Sequence, residues 1–210
     1  MNHIQQEIAQ VLLDIGAVTL RPEQPFTWAS GIQSPIYCDN RLLMAFPEAR
    51  RKVREAFCHL IKEKFPSAEL VAGVATGAIA HAAWVAERLS KPMVYIRGSA
   101  KDHGKQNLVE GKVEPGAIAV VIEDLVSTGG SSAAAVEALR NAGAKADACF
   151  AIFSYGFPEA IKKFSEIKCE LIPLTNFQTL LQIAKEGRLI KADQETLLKK
   201  FIADPRHWMG

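Results

Sequence analysis

Apolar residues change their spacing along this chain, and each change marks an element. Ile4, Ile8, Val11, Leu12 and Ile15 share one face of an amphipathic helix that Gly16 ends. A short apolar run at 17–20 precedes 26–41, F-T-W-A-S-G-I-Q-S-P-I-Y-C-D-N-R, which predicts a β-hairpin turning at Ser30-Gly31 and a short strand ending before Arg41. A second helix over 47–64 turns Val53, Phe57, Leu60 and Ile61 inward, with Pro47 in its first turn. Residues 69–74 read as a buried strand, and Ala75-Thr76-Gly77 turns into an alanine-rich helix that runs to about Leu89. A strand at 92–97 follows, and then 98–112, which is polar, punctuated by glycine and without period. Beyond it come strands at 118–122, 147–153 and 171–172, with helices from 133 to near Gly143 and over 158–165, 177–184 and 194–202. This alternation predicts an α/β fold, a central parallel sheet with right-handed crossovers flanked by helices. Residues 1–45 form a small N-terminal hood beside the sheet, and with no linker or repeat in view 1–210 reads as one domain.

The densest chemistry lies in 118–135, I-A-V-V-I-E-D-L-V-S-T-G-G-S-S-A-A-A. Five apolar residues without alternation suit a strand covered on both faces. Glu123 and Asp124 then close that strand, and Ser127-Thr128-Gly129-Gly130-Ser131 leads into a helix. Glycines let backbone N–H groups approach a phosphate, hydroxyls add donors, and the helix start adds partial positive charge. Two carboxylates repel a phosphate, so they serve either sugar hydroxyls or a hydrated Mg²⁺. A solvated strand end followed by a plain helix cap is the simpler alternative. The site reading gains weight because both pieces stand at the carboxyl end of a buried strand, where open α/β sheets bind ligands. Phosphate, diol and divalent ion together describe a phosphorylated ribose.

Composition changes this picture little. Charged residues at 23%, hydrophobic residues at 49% and a net charge of +2 supply no argument for a nucleic-acid or membrane partner. Cys38, Cys58, Cys149 and Cys169 form no C-x-x-C pair and no Cys/His ligand spacing, so they read as reduced thiols of a cytoplasmic protein. The most apolar stretch, 70–86, is interrupted by Thr76 and His81 and suits a strand-turn-helix better than a membrane span. The opening M-N-H-I-Q-Q-E lacks the basic start and apolar block of a signal peptide.

The aperiodic stretch 98–112 is long for a loop, and such loops are usually functional. Arg97, Lys101, His103 and Lys105 put four donors within nine positions, with Asp102 among them and Gly104 and Gly111 as hinges. A solvated surface loop accounts for that composition when it is taken alone. Beside a phosphate cradle, a basic lid that closes over a diphosphate and excludes water accounts for it better. His3, His59 and His81 read as structural or solvated, and the tail Arg206-His207-Trp208-Met209 carries no interpretable pattern.

Three motifs in this chain resemble those of one family. E-D-L-V-S-T-G-G-S resembles the PRPP-binding signature of the type I phosphoribosyltransferases. A-K-D-H-G-K-Q-N-L-V-E-G resembles the catalytic loop of the orotate phosphoribosyltransferases, bacterial type, and 26–41 resembles their orotate-binding N-terminal segment. The resemblance implies the type I phosphoribosyltransferase fold. It implies transfer of the 5-phosphoribosyl group from PRPP to N1 of orotate, giving orotidine 5′-monophosphate and diphosphate in pyrimidine biosynthesis. It also implies a homodimer in which a mobile 98–112 loop completes the partner's site, with Lys101, Asp102 and His103 as the catalytic set. Arg97, Lys101 and His103 would contact the diphosphate, and Glu123 and Asp124 the ribose hydroxyls. Leu125, Val126, Ser127, Thr128, Gly129, Gly130 and Ser131 would wrap the 5′-phosphate. Ser127, Ser30, Gly31 and Tyr37 would face orotate, and Mg²⁺ would ride on PRPP rather than on dedicated protein ligands. Asp102 is either an orienting carboxylate or a proton carrier.

The chain departs from the family pattern in ways that touch the acceptor. Gly98, Thr76 and Ala29 stand where many relatives carry Lys, and Phe153-Ser154-Tyr155-Gly156 lacks the Arg that often takes the orotate carboxylate. Backbone amides of the hood or Arg41 would substitute. A purine-base transferase should lack the S-G-x-x-S-P hood, a PRPP-sensing regulator should show an added basic domain or a lost lid, and a fused enzyme needs a second domain.

Overall fold

The computed structural model describes residues 3–28, 31–98 and 108–208. After α1 (His3–Asp14), β1 (Val18–Leu20) pairs antiparallel with β4 (Ile36–Cys38), and β2 (Phe26–Thr27) and β3 (Gln33–Ser34) form the expected hairpin between them. A 3-10 helix, Asn40–Ala45, joins this hood to α2 (Pro47–Lys64). Its first turn is capped by the Asp39 carboxylate, which accepts from the Arg41 N–H.

The remaining elements are β5 (Leu70–Val74), α3 (Ile79–Leu89), β6 (Met93–Ile96), β7 (Val109–Glu110), β8 (Ile118–Val126), α4 (Gly130–Asn141), β9 (Lys145–Ser154), α5 (Pro158–Glu166), β10 (Glu170–Asn176), α6 (Phe177–Glu186) and α7 (Ala192–Ala203). The main sheet has the order β10-β9-β8-β5-β6-β7 and is parallel except for β7. From β5 the chain steps outward to β6, and from β8 it steps the other way to β9. Right-handed crossovers therefore put α3 and α4 on opposite faces, and the loops after β5 and β8 part to leave a crevice at the carboxyl edge.

Packing explains where the elements stop. All five residues of β5 are buried, and a Cβ on Gly73 would stand 2.7 Å from the Ala82 Cβ, so glycine is what lets α3 lie directly on the strand. Three findings differ from the sequence expectation. β8 runs on to Val126 because the ten-residue β9 extends beside it, pairing Leu125 with Phe153 and Val126 with Ser154. The acid pair thus lies within the strand rather than ending it. Inside the stretch expected to lack structure, Val109 and Glu110 pair with Ile96 and Tyr95. β10 covers 170–176 rather than two residues, and as an edge strand it tolerates Pro173. Among the described residues no helix is long and apolar enough to cross a membrane, and the four cysteines are free and buried.

Candidate active site

At the end of β8, Ser127 is half-buried, whereas Thr128, Gly130 and Ser131 are exposed. Gly129 has φ +75, and a Cβ there would stand 3.1 Å from the Ala160 Cα. Glycine meets two demands at once, a left-handed turn and the close approach of α5. Helix α4 starts at Gly130 with no side-chain cap and no acid in its first turn. The N–H of Ala133 is the first to reach back, donating to the Gly129 carbonyl at 3.0 Å, so the amides of 130–132 point out of the helix end. An uncapped helix start in this state is suited to an anion.

Consecutive strand residues face opposite ways, and the acid pair divides accordingly. Glu123 is only 5% exposed. Its Oε2 accepts from the Ser132 hydroxyl at 2.8 Å, and its Oε1 accepts from the Asp124 N–H at 3.0 Å. Burial, reinforced by the neighbouring Asp124 carboxyl, pushes Glu123 up to about 8, with Ser132 pulling the other way. Both Glu123 oxygens are engaged by the protein, so the half-buried Asp124 is the carboxylate open to a ligand.

Asp124 is closely held. A Cβ on Gly77, in the turn after β5, would overlap its carboxylate. Asn40, 1% exposed, donates Nδ2 to the Asp124 carbonyl at 2.5 Å, and its Oδ1 accepts from the Cys38 Sγ at 3.4 Å. His81 on α3 is also buried, and its Nε2 has no hydrogen-bond partner among the described residues. Burial pushes His81 down to about 4 against the pull of Asp124 and the Asn40 backbone, so the ring is neutral at pH 7.

The raised Glu123 gives a testable pH dependence. An acid whose folded pKa lies above its unfolded value destabilises the fold as pH rises between the two, here from about 4.5 to about 8. Gln at this position keeps the acceptor for the Asp124 N–H and carries no charge. Denaturant unfolding should therefore show Glu123→Gln gaining on the native protein by about 4 kcal/mol between pH 5 and pH 9. A gap that stays constant or narrows overturns the assignment.

This geometry agrees with what the chain is similar to. A family model described as a phosphoribosyl transferase domain matches residues 43–169. The orotate phosphoribosyltransferase of Enterococcus faecalis is 49% identical over 208 residues, covering 99% of this chain and 99% of that one. The Listeria innocua enzyme of the same name is 47% identical over 205 residues, covering 98% of each. This chain belongs to the orotate phosphoribosyltransferase family. The crystal structure of orotate phosphoribosyltransferase from Aeropyrum pernix superposes with a TM-score of 0.76 at 30% identity, covering 86% of this chain and 98% of that one.

Within the orotate phosphoribosyltransferase fold, the other expected site residues are distributed unevenly. Leu125 and Val126 are paired strand residues, so the loop expected to wrap a phosphate starts at Ser127. Arg97 follows β6, and its Nη1 stands 3.5 Å from the Glu110 carboxylate. Gly31 has φ +82 and donates its N–H to the Trp28 carbonyl at 2.8 Å, while Tyr37 is 41% exposed with its ring 5.4 Å from that of Phe26. Lys101, Asp102, His103 and Ser30 lie outside the described residues. Arg41 forks the Asp39 carboxylate at 2.6 and 2.8 Å, so it is not a free cation for orotate.

Several residues at the site carry no signal in the sequence. Asn40 and Ser132 are single small polar residues without period, and His81 sits in an ordinary helical pattern. The tail is a different case. Trp208 is buried and donates its indole N–H to the Gln33 carbonyl at 2.8 Å, tying the chain end to the hood hairpin. Its ring meets Phe201, which meets Trp28, which in turn meets Tyr155. A cavity of about 280 Å³ between this aromatic wall and Thr128 opens beside the phosphate loop.

Proposed function

We propose that this enzyme transfers the 5-phosphoribosyl group of PRPP to N1 of orotate, giving orotidine 5′-monophosphate and diphosphate. The observation that carries the reading is near-complete alignment with orotate phosphoribosyltransferases at 49% identity. The crevice supports it, since an uncapped helix start stands beside an open carboxylate, one suited to a phosphate and the other to sugar hydroxyls. In the reaction the N1 lone pair forms a bond to C1 of the ribose. The bond from C1 to the diphosphate oxygen breaks, and its electron pair leaves with the diphosphate. The N1 proton passes to water or to the departing diphosphate, and positive charge develops on the sugar as the old bond breaks ahead of the new one, as in glycoside cleavage.

Asp124 orients the ribose through its hydroxyls, and Ser127–Ser131 hold the 5′-phosphate. Glu123 and Ser132 brace the strand beneath. Mg²⁺, when it arrives with PRPP, neutralises diphosphate charge. The half-buried Asp124 carboxylate is an oxygen donor facing the crevice, which suits a hydrated Mg²⁺ carried in by PRPP. Lys101, His103 and Arg97 stabilise the departing diphosphate in the partner's site. A homodimer is therefore part of the proposal, and the exposed Leu42, Met44 and Phe46 beside the hood offer it an apolar surface. Free buried thiols suit a reduced cytoplasm.

The test is a spectrophotometric assay with PRPP and Mg²⁺, with orotate offered beside adenine, hypoxanthine and uracil. Turnover with orotate alone is expected. Turnover of a purine instead, or PRPP binding without any turnover, would replace this reading with a purine transferase or a PRPP sensor.

A further inference from the structure

We infer that Lys163 is a further binding residue for the 5′-phosphate of PRPP, an ammonium that α5 holds over the open end of α4. The inference rests on the function proposed above and adds a side-chain cation to a cradle otherwise made of amides and hydroxyls.

A Cβ placed on Gly130, the first residue of α4, would stand 3.4 Å from the Lys163 Nζ. Cα–Cβ bonds tilt toward the N-terminus of a helix, so the ammonium lies off the open end and not along the barrel. Its helix is firmly seated there. The Cβ position of Gly129 lies 3.1 Å from the Ala160 Cα and 3.4 Å from the Phe164 ring. Lys163 follows Ala160 by three residues, on the same face.

The ammonium has no ion pair or hydrogen bond among the described residues. Glu159 stands four residues earlier, at the spacing where helical ion pairs form, yet the Lys163 side chain turns to the phosphate loop instead. Its neighbour Lys162 behaves conventionally, exposed and 3.8 Å from Glu166. Without an anion the arrangement is unfavourable, because a helix start carries about half a positive charge and a second cation beside it is repelled. No acid in the first turn of α4 offsets this. A phosphate dianion lying between the amides of 130–132 and the ammonium turns that repulsion into charge-assisted hydrogen bonding from both sides.

Steady-state kinetics and calorimetry test this on the full enzyme. Lys163→Ala should raise KM for PRPP about tenfold, leave kcat and KM for orotate within about twofold, and weaken binding of ribose 5-phosphate about tenfold. Inhibition by inorganic diphosphate should not change, because that anion occupies the other end of the substrate. Lys163→Arg should restore most of the affinity, and Lys162→Ala should match the native enzyme. Ribose 5-phosphate affinity unchanged in Lys163→Ala overturns the inference, and so does an equal loss of diphosphate inhibition. A native enzyme that binds ribose 5-phosphate in a Lys163-dependent way but makes no orotidine 5′-monophosphate overturns the proposed reaction and leaves this inference standing.

Discussion

Lys101→Ala should lower kcat by about a hundredfold or more while the thermal unfolding midpoint stays within about two degrees of the native value. The expectation follows from counting the cations that can meet the diphosphate. Arg97 is the described residue assigned to it, and the Glu110 carboxylate stands 3.5 Å from that guanidinium. Thr76, in the turn after β5, and Gly98, directly after Arg97, carry no charge. Lys163 stands at the 5′-phosphate end. On the proposed reading the remaining charge at the leaving group comes from Lys101, His103 and Lys105, and a preorganised cation facing developing negative charge acts in the transition state rather than in substrate binding. The split between kcat and KM is the diagnostic readout, paired with a circular dichroism melt. A kcat unchanged in Lys101→Ala would take the 98–112 segment out of the chemistry.

The sheet was legible in the sequence because burial on both faces leaves an unmistakable mark. The runs at 70–74 and 118–122 are apolar without alternation, and both are central strands with helices on either side. Boundaries set by a distant partner were not legible. Nothing within 123–126 announces that the strand continues, since β9 supplies the pairing from more than twenty residues away. Val109–Glu110 is likewise a strand only because β6 offers an edge. The turn and helix start at 127–131 could be read because their signal is local, glycine and hydroxyl before a helix. The support around Asp124 could not. Asn40 reaches it across 84 positions, and His81 is distinguished from an ordinary buried histidine only by what lies beside it. The tail had no meaning until Trp208 was seen against Gln33.

Gly77→Ala should reduce kcat/KM for PRPP by about a hundredfold, roughly 3 kcal/mol, with little loss of stability. Alanine is acceptable to the backbone there, because Gly77 does not occupy the left-handed region. Its methyl group, however, would overlap the Asp124 carboxylate, so one of them must move. The Asp124 backbone cannot retreat, because its neighbours Glu123 and Leu125 pair with β9 and its own carbonyl is held by Asn40. The side chain therefore swings outward, which costs little because it is already half-exposed. What is lost is the fixed position that a ribose hydroxyl needs, and hydrogen bonds weaken steeply with misalignment. A double-mutant cycle separates this route from general damage. If Gly77→Ala acts through Asp124, adding it to Asp124→Asn should cost much less than its effect alone. Fully additive losses would place the damage elsewhere in the turn, and an active Gly77→Ala enzyme would show that Asp124 need not stand where the crevice holds it.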